Sequence, residues 1–167
     1  MQTLGLINVD NISLSTTGFR IRIPGKTKTS GLNRKQPILV IQFYHKDTSI
    51  CAASALQNYL ERTKEIRKDV RNLFISFRKP HGVVSTQTIS RWIKTMLEKC
   101  GIDTSIFSAY STRHASTSTA KNKGISIVQI KKTAGWTEKS KTFAQFYDLP
   151  IECDPDQYAN TILAQGR

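Results

Sequence analysis

Apolar and polar residues alternate in the first forty positions of this chain, which is the pattern of half-buried β-strands. Residues 11–15 and 19–23 follow this period of two, and the polar residues 16–18 between them are typical of a turn. After a polar, basic loop, the apolar run at residues 37–42 predicts a third strand that is buried. The pattern therefore predicts a small antiparallel sheet of about three strands within residues 1–42.

Beyond the sheet, the spacing of the apolar residues becomes helical. The charged continuation of the first helix at residues 61–71 is expected to be its exposed end followed by a linker. Residues 73–76 fit either a short strand or a buried tether. The first helix begins near Ser49, and its predicted buried stripe consists of Cys51, Ala52, Ala55, Leu56, Tyr59 and Leu60.

Capping residues and glycines mark the ends of the later helices. Ser85 (or Thr86) and Ser126 are favourable N-caps, and Gly135 is a stop signal. Strands followed by helices predict an α+β fold, and the whole chain is expected to form a single domain. The helices that these signals predict span residues 85–100, 110–123, 126–135, 140–147 and 154–164.

The charge balance of the chain points to an anionic partner. Its 167 residues include 25 Lys and Arg against 12 Asp and Glu, a net charge of +13, which favours nucleic acid or an anionic membrane. No apolar run approaches the roughly 18 residues of a membrane span, and no signal peptide is evident, so no membrane association is expected. The three cysteines and three histidines are scattered, so neither a disulfide framework nor a metal site is expected.

Three short segments in the second half of the chain carry candidate chemistry. They contain Arg113 within residues 108–115, then Trp136, then Tyr147 within residues 141–148. In this order, after strands and a basic loop, they resemble the catalytic domain of the tyrosine recombinase/integrase family over nearly the whole chain. The resemblance is closest to the recombinases of DIRS-like and Crypton-like eukaryotic mobile elements and to phage-type site-specific recombinases.

This resemblance implies an enzyme that cleaves and rejoins double-stranded DNA without a cofactor. Tyr147 would be the nucleophile of a 3′-phosphotyrosyl intermediate, and nearby cations are expected to lower its pKa. Arg113 would hold two oxygens of the scissile phosphate; a surface arginine that binds DNA or a helix end is the alternative. Trp136 would donate its indole N–H and pack against the helix of the nucleophile; a plain core tryptophan is the alternative.

Two further catalytic positions come from the same resemblance. Tyr110 stands where the family usually has histidine. A phenol can still donate a hydrogen bond to the phosphate but, with an ordinary pKa of roughly 10, it cannot shuttle protons near neutral pH. The neighbouring His114, a candidate DNA-binding residue, either compensates for this change or packs behind the site, and packing is favoured. Lys28 matches the lysine that protonates the departing 5′ oxygen, with Lys26 as its competitor, and either could simply contact phosphate.

The resemblance also suggests how the domain meets DNA and its own copies. The predicted helix at residues 85–100 would face DNA through Arg91 and Lys94, although an ordinary solvated helix face fits these charges nearly as well. By analogy, the segment after Asp154 is expected to dock on a neighbouring copy in a homo-multimer. A nuclear location follows only from the mobile-element resemblance.

One residue of the family pattern is missing. The first phosphate-binding arginine is expected immediately upstream of residue 1, because residues 2–7 match the turn that follows it, and Arg20 and Arg22 are in the wrong register to replace it. The chain is therefore expected to be an N-terminally truncated catalytic domain, without the family's N-terminal helical domain and with impaired cleavage. A non-catalytic DNA-binding module is the main alternative, and a basic RNA-associated protein is a second.

Overall fold

The computed structural model describes residues 2–25 and 38–148, and the chain divides into two compact units, Met1–Cys100 and Gly101–Arg167. The strands and helices confirm the predicted α+β fold. In the described part of the first unit they are α1 Gln2–Gly5, β1 Ile12–Ser15, β2 Gly18–Arg22, β3 Ile38–Gln42, α2 Ala52–Thr63 and α3 Thr86–Lys99. In the described part of the second unit they are α4 Ser111–Asn122, α5 Ile127–Ala134 and α6 Thr142–Phe146.

The three strands form an antiparallel sheet in the order β1-β2-β3, as the alternating pattern predicts. The turn into β2 depends on Gly18, whose φ of 144° favours glycine and where a Cβ would collide with the carbonyl of Ile41 on β3. Phe19 and Ile21 of β2 are buried, whereas the two arginines that alternate with them are exposed. Strand β2 therefore presents its apolar residues to the core and its arginines to solvent.

The prediction that the third strand is buried is wrong. Ile38 and Val40 are 50% and 61% exposed, and only the alternate residues Leu39 and Ile41 pack on the core. The described residues cover the sheet on one face, where Phe19 packs on the side of α2. A continuous apolar run is thus divided between core and solvent, which the sequence alone does not reveal.

The buried stripe of α2 differs in detail from its prediction. The helix begins slightly later than expected, at Ala52, because Cys51 is its N-cap and accepts a hydrogen bond through Sγ from the N–H of Ser54 at 3.4 Å. Ala53 is buried, whereas Ala52 and Ala55 are exposed. The other members of the predicted stripe pack against the core clusters of the first unit.

The charged segment after α2 is not simply exposed, contrary to the prediction. Arg67 is buried and donates to the carbonyl oxygens of Asn72 at 2.9 Å and Leu73 at 3.3 Å, and to Thr63 Oγ1 at 2.6 Å. A charged guanidinium is tolerated there because these acceptors satisfy its donors. Arg67 thereby connects the end of α2 to the segment at residues 72–76, in which Leu73 and Ile75 are buried.

Local signals predicted the later helices well. Ser85 and Ser126 are the N-caps of α3 and α5, and each accepts a main-chain hydrogen bond through Oγ. Gly135 ends α5 with a left-handed φ of 74°. The predicted helix after Asp154 lies outside the described residues. Among the described helices, none is long and apolar enough to cross a membrane.

Candidate functional site

One face of α4 carries most of the candidate site. Arg113 and His114 lie in its first turn, directly after Tyr110, and Ser118 follows His114 at a spacing that places both on one side of the helix. This side contacts Tyr147 at the end of α6. Residues that are distant in sequence therefore meet within the second unit.

Arg113 is held by aromatic rings and by a helix end. Its Cζ lies 4.7 Å from the ring centroid of Trp136 and 5.8 Å from that of Tyr147. Its Nη2 donates to the carbonyl oxygen of Ala134, the last residue of α5, where the helix dipole is negative. The Nε atom is buried and has no hydrogen-bond partner among the described residues.

Tyr147 is buried, at 3% exposure, and lies directly after α6. Its N–H donates to the carbonyl of Phe143 at 2.8 Å, and its own carbonyl accepts a 2.6 Å hydrogen bond from Ser118 Oγ. Its ring stacks on the imidazole of His114, with centroids 4.2 Å apart, and lies 4.6 Å from the ring of Trp136. Main-chain and ring contacts therefore fix this phenol beside the guanidinium.

The hydroxyl groups of Tyr110 and Tyr147 are hydrogen-bonded to each other. Burial raises the pKa of Tyr147 to about 12, together with the hydrogen bond and the charge of Tyr110, while Arg113 acts in the opposite direction. The predicted effect of a nearby cation is present, since Arg113 lowers this pKa, but burial and Tyr110 outweigh it. Burial disfavours the phenolate by more free energy than its attraction to one guanidinium beside the ring provides.

Tyr110 and His114 flank the phenol in different ways. Tyr110 is 56% exposed, and its hydroxyl is hydrogen-bonded to that of the buried Tyr147. His114 stacks on the face of the Tyr147 ring, which does not place an imidazole nitrogen at the phenolic oxygen. The Nδ1 atom of His114 is buried and has no hydrogen-bond partner in the described part of the chain.

Trp136 fills the space between the guanidinium and the helix that precedes the phenol. It follows the left-handed Gly135 at the end of α5 and is half-buried. Its ring centroid lies 6.1 Å from that of Phe143 in α6, so the indole packs against α6 as well as against Arg113 and Tyr147.

An ion pair that the sequence analysis missed supports the same segment. Lys121 Nζ contacts both carboxylate oxygens of Asp148, at 2.5 and 2.6 Å. Lys121 lies one turn beyond Ser118 on α4. The helical spacing of His114, Ser118 and Lys121 was therefore a signal in the sequence that these residues share one face of the helix. No signal paired Lys121 with Asp148 because 27 positions separate them.

The remaining predicted residues lie elsewhere. Arg91 and Lys94 are exposed on α3 in the first unit. Lys26 and Lys28 lie outside the described residues. Within residues 2–25 and 38–148, no group of three or more His, Cys, Asp or Glu side chains could hold a metal ion.

Comparisons with known proteins give the family. The model of the phage integrase family matches residues 4–150. Among solved structures, the crystal structure of XerA recombinase is similar in fold, with a TM-score of 0.67 at 20% sequence identity. That match covers 99% of this chain and 52% of the XerA chain, so the chain spans about half the length of that protein. No curated protein sequence matches. The chain therefore belongs to the phage integrase family and has the fold of a tyrosine recombinase catalytic domain.

Proposed function

We propose that this domain binds double-stranded DNA and acts in site-specific recombination, with Tyr147 as the nucleophile and Arg113 as a phosphate ligand. The observation that carries the proposal is the convergence of these two residues with Trp136 in one cluster. Membership of the phage integrase family supports it. The net charge of +13 would supply the electrostatic attraction to DNA.

In the proposed reaction, the phenolic oxygen of Tyr147 attacks the phosphorus while the bond from phosphorus to the 5′ oxygen breaks. The 3′-phosphotyrosyl ester conserves the bond, so that a 5′ hydroxyl can later attack it and restore the strand. Arg113 would stabilise the negative charge that develops on the phosphate oxygens. By its sequence position, Lys28 would donate the proton that the departing 5′ oxygen needs, with Lys26 as the alternative.

The proton of Tyr147 needs a route out of the site. A pKa of about 12 keeps this phenol protonated at neutral pH, so the proton leaves as the oxygen attacks. The hydroxyl of Tyr110 is hydrogen-bonded to that of Tyr147, but a phenol cannot shuttle protons near neutral pH, so the proton would pass to water or to a phosphate oxygen. We assign Tyr110 the orientation of the attacking oxygen through this hydrogen bond, and we assign His114 and Trp136 the positioning of the phenol ring.

Trapping of a covalent adduct tests the proposal. The purified chain is incubated with a pool of nicked duplexes, randomised around the nick, so that cleavage releases a short fragment and cannot be reversed. We expect a denaturant-resistant protein–DNA species that Tyr147→Phe abolishes and that the control Tyr44→Phe, in the first unit, retains. An adduct that survives Tyr147→Phe, or that mass spectrometry maps to another residue, would contradict the assignment.

A non-catalytic DNA-binding module is the second candidate function. The observation that favours it is the raised pKa of a phenol whose hydroxyl is already bound by Tyr110. This function predicts that the duplexes bind but that no adduct forms with the unmodified chain. The same experiment also measures the impaired cleavage that the sequence analysis predicts, as the yield of adduct for each bound duplex.

Assembly and cellular setting form a finer part of the proposal. We propose that copies of the domain associate on DNA through the segment after Asp154. Gel filtration of the chain with and without residues 151–167, in the presence of DNA, tests this, and identical assembly states would contradict it.

An origin in a eukaryotic mobile element further predicts that a tagged chain accumulates in the nucleus of a eukaryotic cell, which imaging would measure.

A further inference from the structure

A groove in the first unit has no role in the proposed cleavage chemistry. Its volume is about 510 Å³, and it lies between the segment around Phe77 and the first half of α3. Phe77 and Trp92 provide its aromatic surface, and Arg78 and Arg91 its charges. This volume is within the usual range for ligand sites, roughly 300–1,000 Å³.

The aromatic surface of this groove is unusually open to solvent. Phe77 is 72% exposed, the highest value among the large hydrophobic side chains that the structure describes. Its ring centroid lies 6.4 Å from that of the half-buried Trp92, at an interplanar angle of 44°. An exposed phenylalanine against a partly exposed indole offers a stacking surface for another planar ring.

The charges of the groove indicate an anionic ligand. The Cζ of Arg78 lies 5.7 Å from the ring centroid of Phe77, so a guanidinium already lies over this aromatic surface. Arg91 Nη2 donates to Thr88 Oγ1 at 3.5 Å, a long hydrogen bond that a phosphate oxygen could replace. Among the described residues that line the groove, none is acidic. A ligand that combines flat apolar rings with negative charges fits this surface.

We propose that this groove binds an unpaired stretch of single-stranded DNA, with a base stacked on the exposed Phe77, beside Trp92, and flanking phosphates on Arg78 and Arg91. Unpaired bases expose the ring faces that such a surface needs, whereas a duplex keeps these faces stacked inside the helix. The inference rests on the proposed function for its ligand, DNA, and for the step that leaves nucleotides unpaired. Rejoining a cleaved strand to a new partner requires it to leave its complement, and this step creates unpaired nucleotides.

Binding of a labelled oligothymidylate of about 12 nucleotides to the full chain tests the proposal by fluorescence anisotropy. We expect Phe77→Ala to weaken this binding about tenfold or more, because stacking on one aromatic ring is lost. Phe77→Tyr should bind like the unmodified chain, and Phe77→Leu should bind like Phe77→Ala. The control Phe107→Ala, at an exposed phenylalanine of the second unit, should change nothing.

Salt dependence tests the charged part of the site. Arg78→Gln should reduce the magnitude of the slope of log affinity against log salt by about 0.7, the value for one phosphate contact on a single strand. The control Lys99→Gln changes an exposed lysine of α3 that does not line the groove. Equal slopes for Arg78→Gln and the unmodified chain would overturn the placement of a phosphate on Arg78.

Three outcomes would overturn the proposal as a whole. The first is full affinity of Phe77→Leu for oligothymidylate, which would indicate apolar docking without stacking. The second is displacement of the oligonucleotide by a peptide of residues 151–167, which would make the groove a site for this chain's own C-terminal segment. The third is an equal loss of duplex affinity in Phe77→Ala, which would make Phe77 a general DNA contact.

Photocrosslinking locates the strand directly and does not depend on how a variant folds. An oligonucleotide that contains 5-iodouracil should crosslink to Phe77 or Trp92, and crosslinks confined to other residues would overturn the site. The outcome is independent of the cleavage chemistry. If an adduct forms but single-strand binding does not depend on Phe77, this inference alone is wrong. If single-strand binding depends on Phe77 but no adduct forms, only the proposed cleavage is wrong.

Discussion

Arg113 is held by contacts that a lysine cannot reproduce. The planar guanidinium packs against Trp136 and donates to the carbonyl of Ala134. We expect Arg113→Lys to reduce the rate of adduct formation by a factor on the order of 100, because one ammonium cannot make the paired contacts to phosphate. Duplex affinity should change little, since the charge is kept.

The matched control for this substitution is Arg62→Lys, at an exposed position of α2. Single-turnover rates of adduct formation and duplex affinities would be measured for both variants, together with their thermal unfolding. If Arg113→Lys reduced rate and duplex affinity by equal factors, Arg113 would be a general DNA contact rather than a ligand of the scissile phosphate.

The raised pKa of Tyr147 has a consequence for stability at high pH. The folded value of about 12 lies above the ordinary value of roughly 10, so the unfolded chain releases this proton first as pH rises. The stabilising contribution is therefore complete below pH 10 and is lost between pH 10 and 12. At pH 11 the loss should be roughly 1 kcal/mol in the free energy of unfolding.

Urea unfolding of the unmodified chain and of Tyr147→Phe at pH 8 and pH 11 measures this loss. The phenylalanine variant cannot ionise at this position, so the stability difference between the two proteins should shift in its favour at pH 11. A difference that stays constant between the two pH values would mean that the folded environment does not disfavour the phenolate.

At the scale of elements, α4 orders the short helix α6. A five-residue helix is too short to be stable by itself, so contacts must fix its end. The ion pair between Lys121 and Asp148 supplies one of them, and both side chains are only partly exposed, at 39% and 31%. A double-mutant cycle with Lys121→Met and Asp148→Asn should give a coupling of about 0.5–1 kcal/mol in the free energy of unfolding.

The pair Arg71–Asp10 in the first unit is the control for this cycle. Its atoms are 3.6 Å apart and both side chains are 58% exposed, so its coupling should be smaller. Asp148→Asn should also slow adduct formation several-fold, since it loosens the segment that holds Tyr147. A coupling for Lys121 and Asp148 no larger than that of the control would show that the pair does not order α6.

What the sequence predicts depends on whether the cause is local. Ser126 and Gly135 mark the ends of α5 through bonds and dihedral angles within a few residues, so their prediction was correct. The exposure of Val40 depends on which face of the sheet α2 covers. The burial of Arg67 likewise depends on carbonyl groups that folding brings to it. Such tertiary causes leave no local pattern.

The candidate site shows the same division. The resemblance to the tyrosine recombinase family, which rests on the order and spacing of Arg113, Trp136 and Tyr147, selected them as a group, and the structure brings them together. The net rise in the pKa of Tyr147 could not be predicted because desolvation is a property of the assembled site, whereas the charge of Arg113, which lowers this pKa, is visible in the sequence. The stacking of His114 on the phenol was equally invisible before folding.

At the scale of the whole molecule, the charge of +13 should dominate affinity for duplex DNA. We expect affinity to fall steeply with salt, with a log–log slope steeper than about −3, which corresponds to more than three phosphate contacts at about 0.9 each. Anisotropy titrations of one duplex at several salt concentrations measure this slope. A slope near zero would remove the electrostatic basis of the proposed DNA binding.

The hydrogen bond from Ser118 to the main chain of Tyr147 has a mechanical consequence. The same rigid helix supplies this bond, the guanidinium of Arg113 and, at its start, the hydroxyl of Tyr110. The oxygen proposed to attack and the guanidinium proposed to bind the phosphate are therefore held by one helix. A displacement of α4 would move both groups together, so the proposed geometry of attack would depend on this helix and not on a separate loop.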